Sequence, residues 1–261
     1  MKYQISLCAA AARPKYWDRF YASLSKNTVS HEVIFVGPNP PLHTMPDNFK
    51  YIRSNVKPAQ AYEIAIRNAT GELIGPTADD ADYNHPQSKC PNALDIIWNV
   101  YEFSQREFND KKTILSQRSI EDYGIENQAI TWDKHRFFFG DLNSPLMAPL
   151  GFMNREFYHQ LGGYDKNFIC GQHVNDMVMR VNEAGGRVKR VPQSVVYMHH
   201  QECHGKHYIF STGLEHDRQF LESCWVMKSN IVDNKRLRPV EPFIDHNITT
   251  INQGPSGMWR D

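Results

Sequence analysis

The sequence lacks the features that would tie the chain to a membrane or to an oxidising compartment. No stretch approaches the roughly 20 apolar residues needed to cross a bilayer, and the apolar run within residues 1–7 is too short for a signal peptide. The cysteines are odd in number and have no paired spacing, which favours free thiols; they are Cys8, Cys90, Cys170, Cys203 and Cys224. We therefore expect a cytoplasmic protein without a transmembrane segment.

An excess of charge of either sign is also absent. Lys and Arg number 29, and so do Asp and Glu, so no global field draws the chain to nucleic acid or to an anionic membrane. We expect no nucleic-acid partner, and any anion binding must come from local groups. At 261 residues, the chain is long enough for one large α/β domain or for one domain with an elaborated end.

The first 75 residues alternate between strand and helix patterns. Strands are predicted over residues 3–8, 32–36, 51–53 and 72–75. One helix follows Pro14, with apolar residues at i, i+3, i+4 and i+7. A second helix runs from Pro58 to a stop at Gly71, with small residues on one side. This alternation is typical of a βαβ nucleotide-binding half and predicts an α/β fold.

Three carboxylates follow the fourth strand, at Asp79, Asp80 and Asp82. In an open α/β sheet, ligands bind beyond the carboxyl ends of the strands, and Asp80 and Asp82 could turn toward the same point there. Such a pair suits Mg²⁺ or Mn²⁺ shared with a diphosphate. The alternative is an acidic turn in which one residue caps the next helix. Because the turn follows a helix, a glycine and a strand, its position favours the metal-site hypothesis.

The second half of the sequence has weaker patterns. A helix is predicted around residues 94–101 and a strand at 113–116, and periodicity then fades over residues 117–149. Trp132 and the aromatic residues 137–139 lie in that segment, where they could stack on a sugar ring or fold back onto the core. Helices are predicted over 154–161 and 174–184, and two closing strands over 188–191 and 195–199, separated by Pro192. A helix within 209–227 and a polar tail follow.

Five segments in this order resemble the GT-A-fold glycosyltransferases, specifically the inverting family 2 type. They are Ala12-Arg13-Pro14, residues 61–72, Asp79-Asp80-Ala81-Asp82, residues 161–168, and residues 175–180 followed by Gly185-Gly186. The resemblance covers about residues 1–205. The sequence departs from the family pattern at three places: no Asp ends the second strand, Glu63 replaces an Asn, and His173-Val174 replaces a Glu-Asp pair.

The resemblance implies a GT-A-like (Rossmann-like) mixed sheet flanked by helices, with a helical C-terminal extension. The expected glycosyltransferase domain is 1–205, divided into a nucleotide-sugar-binding half (1–83) and an acceptor and catalytic half (84–205), with 206–261 as helical extension and tail. The expected donor-binding residues are Ala9, Ala11, Arg13, Asn39, Asn55, Lys57, Gln60, Asp79 and Asp80. The expected acceptor-binding residues are Trp132, Gly151, Gly163 and Tyr164.

The reaction implied is displacement of a nucleoside diphosphate, with UDP favoured, from a hexose by an acceptor hydroxyl with inversion. Mn²⁺ or Mg²⁺ held by Asp80, Asp82 and His199 would stabilise the departing diphosphate, with His200 as the reserve ligand. Asp176 is the predicted general base; alternatively, it is a helix-terminal charge. A zinc site among His199, His200, His204, His207 and Cys203 is conceivable, but the usual cysteine spacing is absent.

Two other functions compete with this interpretation. A sugar nucleotidyltransferase should have a glycine-rich phosphate loop after the first strand, and residues 7–13 contain no glycine. A non-catalytic carbohydrate- or partner-binding domain would keep the fold without turnover. The presence of Asp80, Asp82 and Asp176 opposes that alternative, whereas the replaced Glu-Asp pair leaves it open. The expected partners are a nucleotide-sugar donor and a glycan or other hydroxyl-bearing acceptor.

Overall fold

The protein is built on a central mixed β-sheet. The computed structural model describes residues 3–121, 126–127, 130–131, 146–147, 151–199, 208–226, 228 and 233–242. The strands are β1 (Ile5–Ala10), β2 (His31–Gly37), β3 (Phe49–Arg53), β4 (Leu73–Pro76), β5 (Ala81–Asp82), β6 (Thr113–Glu121), β7 (Glu126–Asn127), β8 (Ile130–Thr131), β9 (Leu146–Met147), β10 (Gly151–Asn154), β11 (Arg187–Met198), β12 (Trp225–Val226) and β13 (Lys235–Arg236). The helices are α1 (Trp17–Ser23), α2 (Pro58–Arg67), α3 (Ala93–Phe108), α4 (Arg155–Gln160), α5 (His173–Glu183) and α6 (Tyr208–Cys224).

Within the described ranges, the main sheet has nine strands in the order β3-β2-β1-β4-β10-β6-β11-β5, and β7 pairs with β6 at its side. The first four strands are parallel, as the βαβ alternation predicts. β10 runs antiparallel to both β4 and β6, and β5 runs antiparallel to β11. The predicted α/β fold with a mixed sheet is confirmed. Two small sheets, β8-β9 and β12-β13, complete the described strands.

The structure corrects two sequence-based boundaries in the second half. The predicted pair of closing strands is one continuous strand, β11, which pairs with β6 and changes register between Val191 and Val195. Pro192 lies in this irregularity, where a residue without an N–H does not interrupt the hydrogen-bonded ladder. β6 itself extends to Glu121, so the loss of periodicity after residue 116 does not end the strand. Trp132 and the aromatic residues 137–139 lie outside the described residues.

Both faces of the sheet are covered, as its parallel part β3-β2-β1-β4 requires. Leu7 and Ala9 of β1 face α1 and α3, where Trp17, Phe20 and Leu94 complete one core layer. Because successive side chains of a strand point to opposite faces of the sheet, the intervening side chains of β1 and β2 lie on the other face. There they meet α2, α4 and α5 in a second layer, which includes Cys8, Ile34, Ala61, Ala65, Phe157, Val178 and Val181.

The described part of the C-terminal segment packs into this second layer. Leu221 and Cys224 at the end of α6, together with Trp225 of β12, are buried in the same apolar cluster as α2 and α5. A helix in this segment was predicted, and α6 is that helix. Across the described ranges, every helix is too short or too polar to cross a bilayer. The four described cysteines, Cys8, Cys90, Cys170 and Cys224, are buried free thiols.

Candidate active site

The loop after β1 is fixed by one buried carboxylate. Asp79 accepts hydrogen bonds from the backbone N–H groups of Ala12 (3.0 Å) and Arg13 (2.9 Å), and from Arg13 Nε at 2.9 Å. Burial raises the pKa of Asp79, and the Arg13 guanidinium opposes this shift. Asp79 was predicted to bind the donor; its contacts instead hold the loop against the acidic turn. Its donor-binding role stays a prediction.

Strand pairing brings the three predicted metal ligands to the same edge of the sheet. β11 pairs with β5 so that Tyr197 lies opposite Asp82, and the backbone N–H of His199 donates to the carbonyl oxygen of Asp80 at 3.1 Å. As a result, His199 Nε2 lies 3.5 Å from Asp82 Oδ2. Asp80 is buried and its Oδ2 lies 3.4 Å from Arg13 Nη1. His200, the reserve ligand, lies outside the described residues.

The chemistry of this donor set fits a divalent cation that takes further ligands from substrate and water. A carboxylate and an imidazole at adjacent positions are ligands that Mn²⁺ accepts. In the part of the chain that the structure describes, no group of three or more His, Cys, Asp or Glu side chains is arranged to hold a metal ion. Asp82 and His199 are therefore the two candidate ligands that lie close together, whereas the Asp80 carboxylate pairs with Arg13.

A second histidine, which the sequence interpretation missed, lies against this pair. The ring of His85 stacks on Tyr197, with centroids 3.7 Å apart and planes at 18°, and meets the His199 ring edge-on at 5.3 Å. Burial lowers the pKa of His85, and the carboxylate of Asp82 opposes this shift. The backbone N–H of Asn84 donates to Asp82 Oδ1 at 2.9 Å and folds the turn back, but no local pattern indicated the role of His85, because its partner Tyr197 lies on another strand.

α2 and α5 meet beside the acidic turn through an aromatic contact. Tyr62 donates its hydroxyl hydrogen bond to the carbonyl oxygen of Thr77 at 2.7 Å, and its ring lies 5.8 Å from that of His173. The His173 ring also meets Tyr164 edge-on at 4.5 Å. Burial lowers the pKa of His173 to about 3, against the opposing charge of Asp176. His173, which replaces an acidic residue of the family pattern, is therefore a neutral buried ring packed against Tyr62 and Tyr164.

Glu63, the second departure from the family pattern, holds Tyr164, which contacts His173. Its carboxylate is fully buried and accepts hydrogen bonds from Arg67 Nε (2.6 Å), the backbone N–H of Tyr164 (2.9 Å) and the Tyr158 hydroxyl. Gly163 passes directly over it with φ +74°, and a Cβ at that position would lie 2.5 Å from Glu63 Oε1. The predicted acceptor residues Gly163 and Tyr164 are thus anchored to α2.

Asp176 lies in a buried ion-pair network. Its side chain is completely buried, and it accepts hydrogen bonds from Arg180 Nε at 2.8 Å and from Trp225 Nε1 at 2.8 Å. Arg236 contacts the same carboxylate and also pairs with Asp165 at 2.9 Å. Both carboxylate oxygens are thus engaged by cationic or indole N–H donors, which favours a structural role. The role of general base stays a prediction.

The loop that leads into α5 is held by a carboxylate of α6. Asp217 is completely buried and accepts hydrogen bonds from the backbone N–H groups of Ile169 (2.7 Å), Cys170 (2.8 Å) and Gly171 (2.8 Å). The carbonyl oxygen of Ile169 in turn accepts a hydrogen bond from Ala59 N of α2 at 2.9 Å. The C-terminal segment therefore fixes the loop before α5 and its contact with α2, a role that no motif indicated.

The structure places most of the remaining predicted residues in loops and element ends near the acidic turn or α2. Ala9 and Ala11 are buried in the sheet and its following loop, and Asn39 donates to the carbonyl oxygen of Ala12 at 2.8 Å, next to Arg13. Lys57 and Gln60 lie at the start of α2, and Gln60 Nε2 donates to the carbonyl oxygen of Lys166 at 3.2 Å. Asn55 lies before this helix and is exposed. Gly151 begins β10, which runs antiparallel to β4, so it lies near the strand end that leads to the acidic turn. Trp132 lies outside the described residues.

Similarity to known proteins is found at the level of structure. No protein-family model matches the chain, and none of the curated proteins matches its sequence. The structure of GalNAc-T7 with UDP, GalNAc and Mn²⁺ is similar with a TM-score of 0.50 and 15% identity, over 75% of this chain and 43% of that one. The structure of S. aureus TarS is similar with a TM-score of 0.52 and 13% identity, over 76% and 37%.

A third structure, residues 1–349 of S. aureus TarS, is similar with a TM-score of 0.51 and 14% identity, over 77% of this chain and 61% of that one. The chain spans less than two thirds of the length of each of these proteins. They are GT-A glycosyltransferases, and identities of this size establish a common fold alone. The protein therefore has the GT-A fold, as the order of its sequence segments predicts.

Proposed function

We propose that the protein is a glycosyltransferase that transfers a sugar, of the hexose type, from a nucleotide-sugar donor to an acceptor hydroxyl with inversion. UDP-sugars are the favoured donors, and Mn²⁺ or Mg²⁺ is the favoured cofactor. The observation that carries the proposal is the contact between Asp82 and His199 at the carboxyl edge of a GT-A sheet, next to the backbone hydrogen bond from His199 to Asp80. The presence of UDP and Mn²⁺ in the similar GalNAc-T7 structure supports the choice of nucleotide and metal.

Each group at this edge has a task in that reaction. Asp82 and His199 would hold the cation, which when bound supplies positive charge for the diphosphate as it departs. Arg13 pairs with the Asp80 carboxylate, and Asp79 keeps the loop of Arg13 in place. These contacts hold the loop after β1 against the acidic turn and so preorganise this edge for the donor.

An inverting transfer also needs a base for the acceptor hydroxyl. Asp176 is the base that the family resemblance implies, and its contacts with Arg180, Trp225 and Arg236 favour a structural ion pair over proton abstraction. This burial, together with His173 and Val174 in place of two acidic residues, supports a second candidate function: a GT-A domain that binds a nucleotide sugar or glycan without turnover. A sugar nucleotidyltransferase is disfavoured because residues 7–13 contain no glycine.

Calorimetry with UDP, in the presence and absence of Mn²⁺, tests the proposal. We expect Mn²⁺ to tighten UDP binding by about tenfold or more, because the two ligands share the cation, and Asp82→Asn to abolish that gain. Asp47→Asn, which changes an exposed carboxylate, is the control and should behave as the wild type. Equal UDP affinity with and without Mn²⁺ would reject the metal site.

Turnover separates the two candidate functions. Release of UDP from a panel of UDP-sugars, measured with Mn²⁺ and simple hydroxyl acceptors, is expected for the enzyme. Metal-dependent UDP binding without release of UDP from any donor would favour the non-catalytic binding domain.

A further inference from the structure

His85 is fixed by its own turn, independently of the candidate metal ligands. The backbone N–H of Gln87 donates to His85 Nδ1 at 3.3 Å, so this nitrogen is unprotonated and the neutral ring carries its proton on Nε2. The carbonyl oxygen of His85 accepts hydrogen bonds from the backbone N–H of Ser88 at 3.0 Å and from the Ser88 hydroxyl at 2.7 Å. Ser88 is buried, so the turn anchors both the main chain and the ring of His85.

The ring of His85 covers two side chains at the end of β11. It stacks on Tyr197 with centroids 3.7 Å apart and meets His199 edge-on at 5.3 Å. Tyr197 and His199 contact each other as well, with centroids 4.9 Å apart. They lie two positions apart in the chain, so their side chains share one face of the sheet. Asp82 is directly opposite Tyr197 on β5 and shares that face. The three rings and the Asp82 carboxylate thus form one cluster.

His85 is the outer member of this cluster. Tyr197 is 6% exposed and His199 is 9% exposed, whereas His85 is only half-buried. The backbone of His199 is held by its hydrogen bond to the carbonyl oxygen of Asp80. Its ring lies just beyond Met198, where β11 ends, so side-chain contacts such as those with Tyr197 and His85 orient it. Removal of the His85 ring would therefore open one side of the His199 imidazole.

We propose that His85 is a positioning residue whose ring holds the His199 imidazole toward Asp82, the arrangement in which these two side chains can bind one divalent cation. His199 Nε2 lies 3.5 Å from Asp82 Oδ2, and a rotated imidazole would lose this approach. His85 is not a ligand in this arrangement, since the described residues include no group of three His, Cys, Asp or Glu side chains set to hold a metal ion. The binding of a cation rests on the proposed function, whereas the packing of the three rings does not.

Three variants of His85 test this role. His85→Ala removes the ring, and His85→Phe keeps a flat ring without a nitrogen. His85→Gln removes the ring but retains an acceptor for the Gln87 N–H, and it serves as the test if the alanine variant does not fold. His216→Ala is the matched control, because His216 is an exposed histidine of α6 whose ring lies parallel to that of Phe220.

Two measurements are made on each variant, after circular dichroism has shown that it is folded. Calorimetry with Mn²⁺ alone measures metal affinity. Modification of His199 by diethyl pyrocarbonate without metal, followed by mass spectrometry, measures how well its ring is covered. The second measurement needs neither a cation nor turnover, so it reports on the ring packing separately from the proposed function.

The expected loss is specific to the ring. Loss of a contact that orients a metal-binding side chain lowers metal affinity by about 10–100-fold. We therefore expect His85→Ala and His85→Gln to weaken Mn²⁺ binding by about tenfold or more and to speed the modification of His199 several-fold. His85→Phe should stay within about twofold of the wild type in both measurements, because aromatic rings stack through their faces. His216→Ala should behave as the wild type.

Alanine and glutamine variants with wild-type Mn²⁺ affinity and wild-type modification of His199 would overturn the proposal. A phenylalanine variant that loses as much Mn²⁺ affinity as the alanine variant would also overturn it, since His85 would then act through its nitrogen as a ligand. A wild type that binds no Mn²⁺ would refute the metal site of the proposed function. The modification of His199 would then decide by itself whether His85 orients the His199 ring.

Discussion

Replacing Asp176 with asparagine distinguishes a catalytic role of this carboxylate from a structural role. If Asp176 is a general base, Asp176→Asn should fold normally, bind the donor and fail to transfer the sugar. If it is the centre of the ion-pair network, the loss appears in stability. The contacts with Arg180, Trp225 and Arg236 predict the second result, because the amide has no charge to offset the two guanidinium groups.

The size of the loss of stability depends on the contacts that Arg236 and Arg180 retain in the variant. Breaking a buried ion pair by neutralising one partner costs about 3–5 kcal/mol. Arg236 keeps Asp165 at 2.9 Å, and Arg180 keeps the carbonyl oxygens of Leu161 (2.6 Å) and Gly163 (2.7 Å), so the lower end of this range applies. For a chain of this size, about 3 kcal/mol corresponds to a fall in Tm of roughly 6–12 °C.

Thermal unfolding followed by circular dichroism measures this fall, and UDP titration on the same samples measures donor binding. Glu107→Gln is the control, since its pair with Arg106 is solvent-exposed and should change the free energy of unfolding by less than about 0.5 kcal/mol. A variant with the Tm of the wild type, intact donor binding and no transfer would refute the structural role and establish Asp176 as the base.

Two further predictions concern His173 and Asp217, two buried residues that α5 and α6 contribute. Because His173 has a pKa of about 3 in the folded protein against an ordinary value of 6.5, its contribution to stability is complete above pH 6.5 and is lost as the pH falls toward 3, by up to about 1.4 kcal/mol per pH unit. His173→Phe, which keeps the ring packing, should therefore flatten the urea-measured loss of stability between about pH 6.5 and 4.5; an equally steep loss in the variant would contradict this. Asp217→Asn should speed hydrogen exchange of the Ile169, Cys170 and Gly171 amides by about tenfold or more, because one amide oxygen cannot replace a carboxylate that accepts three hydrogen bonds. Glu222→Gln on the same helix is the control, and unchanged exchange in Asp217→Asn would exclude the clamp.

The sequence predicts those parts of the fold whose signals come from residues close together in the chain. β1, α1, β2, α2 and β4 each carry their own periodicity and their own stop signal, so their order and the parallel sheet follow from the sequence. The acidic turn is also local, since Asp80 and Asp82 stand directly after a buried strand. Pairing of β5 with β11 then brings His199 to that turn, as its place at the end of a closing strand suggests.

The contacts that the sequence did not reveal join residues far apart in the chain. Asp217 holds amides more than 45 positions before it, and Arg236 reaches Asp176 across 60 positions, with no motif at either end. β11 continues through Pro192 because it pairs with β6. This long-range pairing cannot be predicted from the strand propensity of the individual residues. His85 was missed for a similar reason: its importance comes from stacking on Tyr197, a partner on another strand.

The reach of Arg236 has a consequence for synthesis of the protein on the ribosome. Asp176 is translated 60 residues before Arg236, and at about 5–20 residues per second this delay lasts roughly 3–12 s. During that interval the nascent chain holds the carboxylates of Asp165 and Asp176 without the guanidinium that later joins them. The second core layer is completed only after the late segment, with Leu221, Cys224 and Trp225, has emerged.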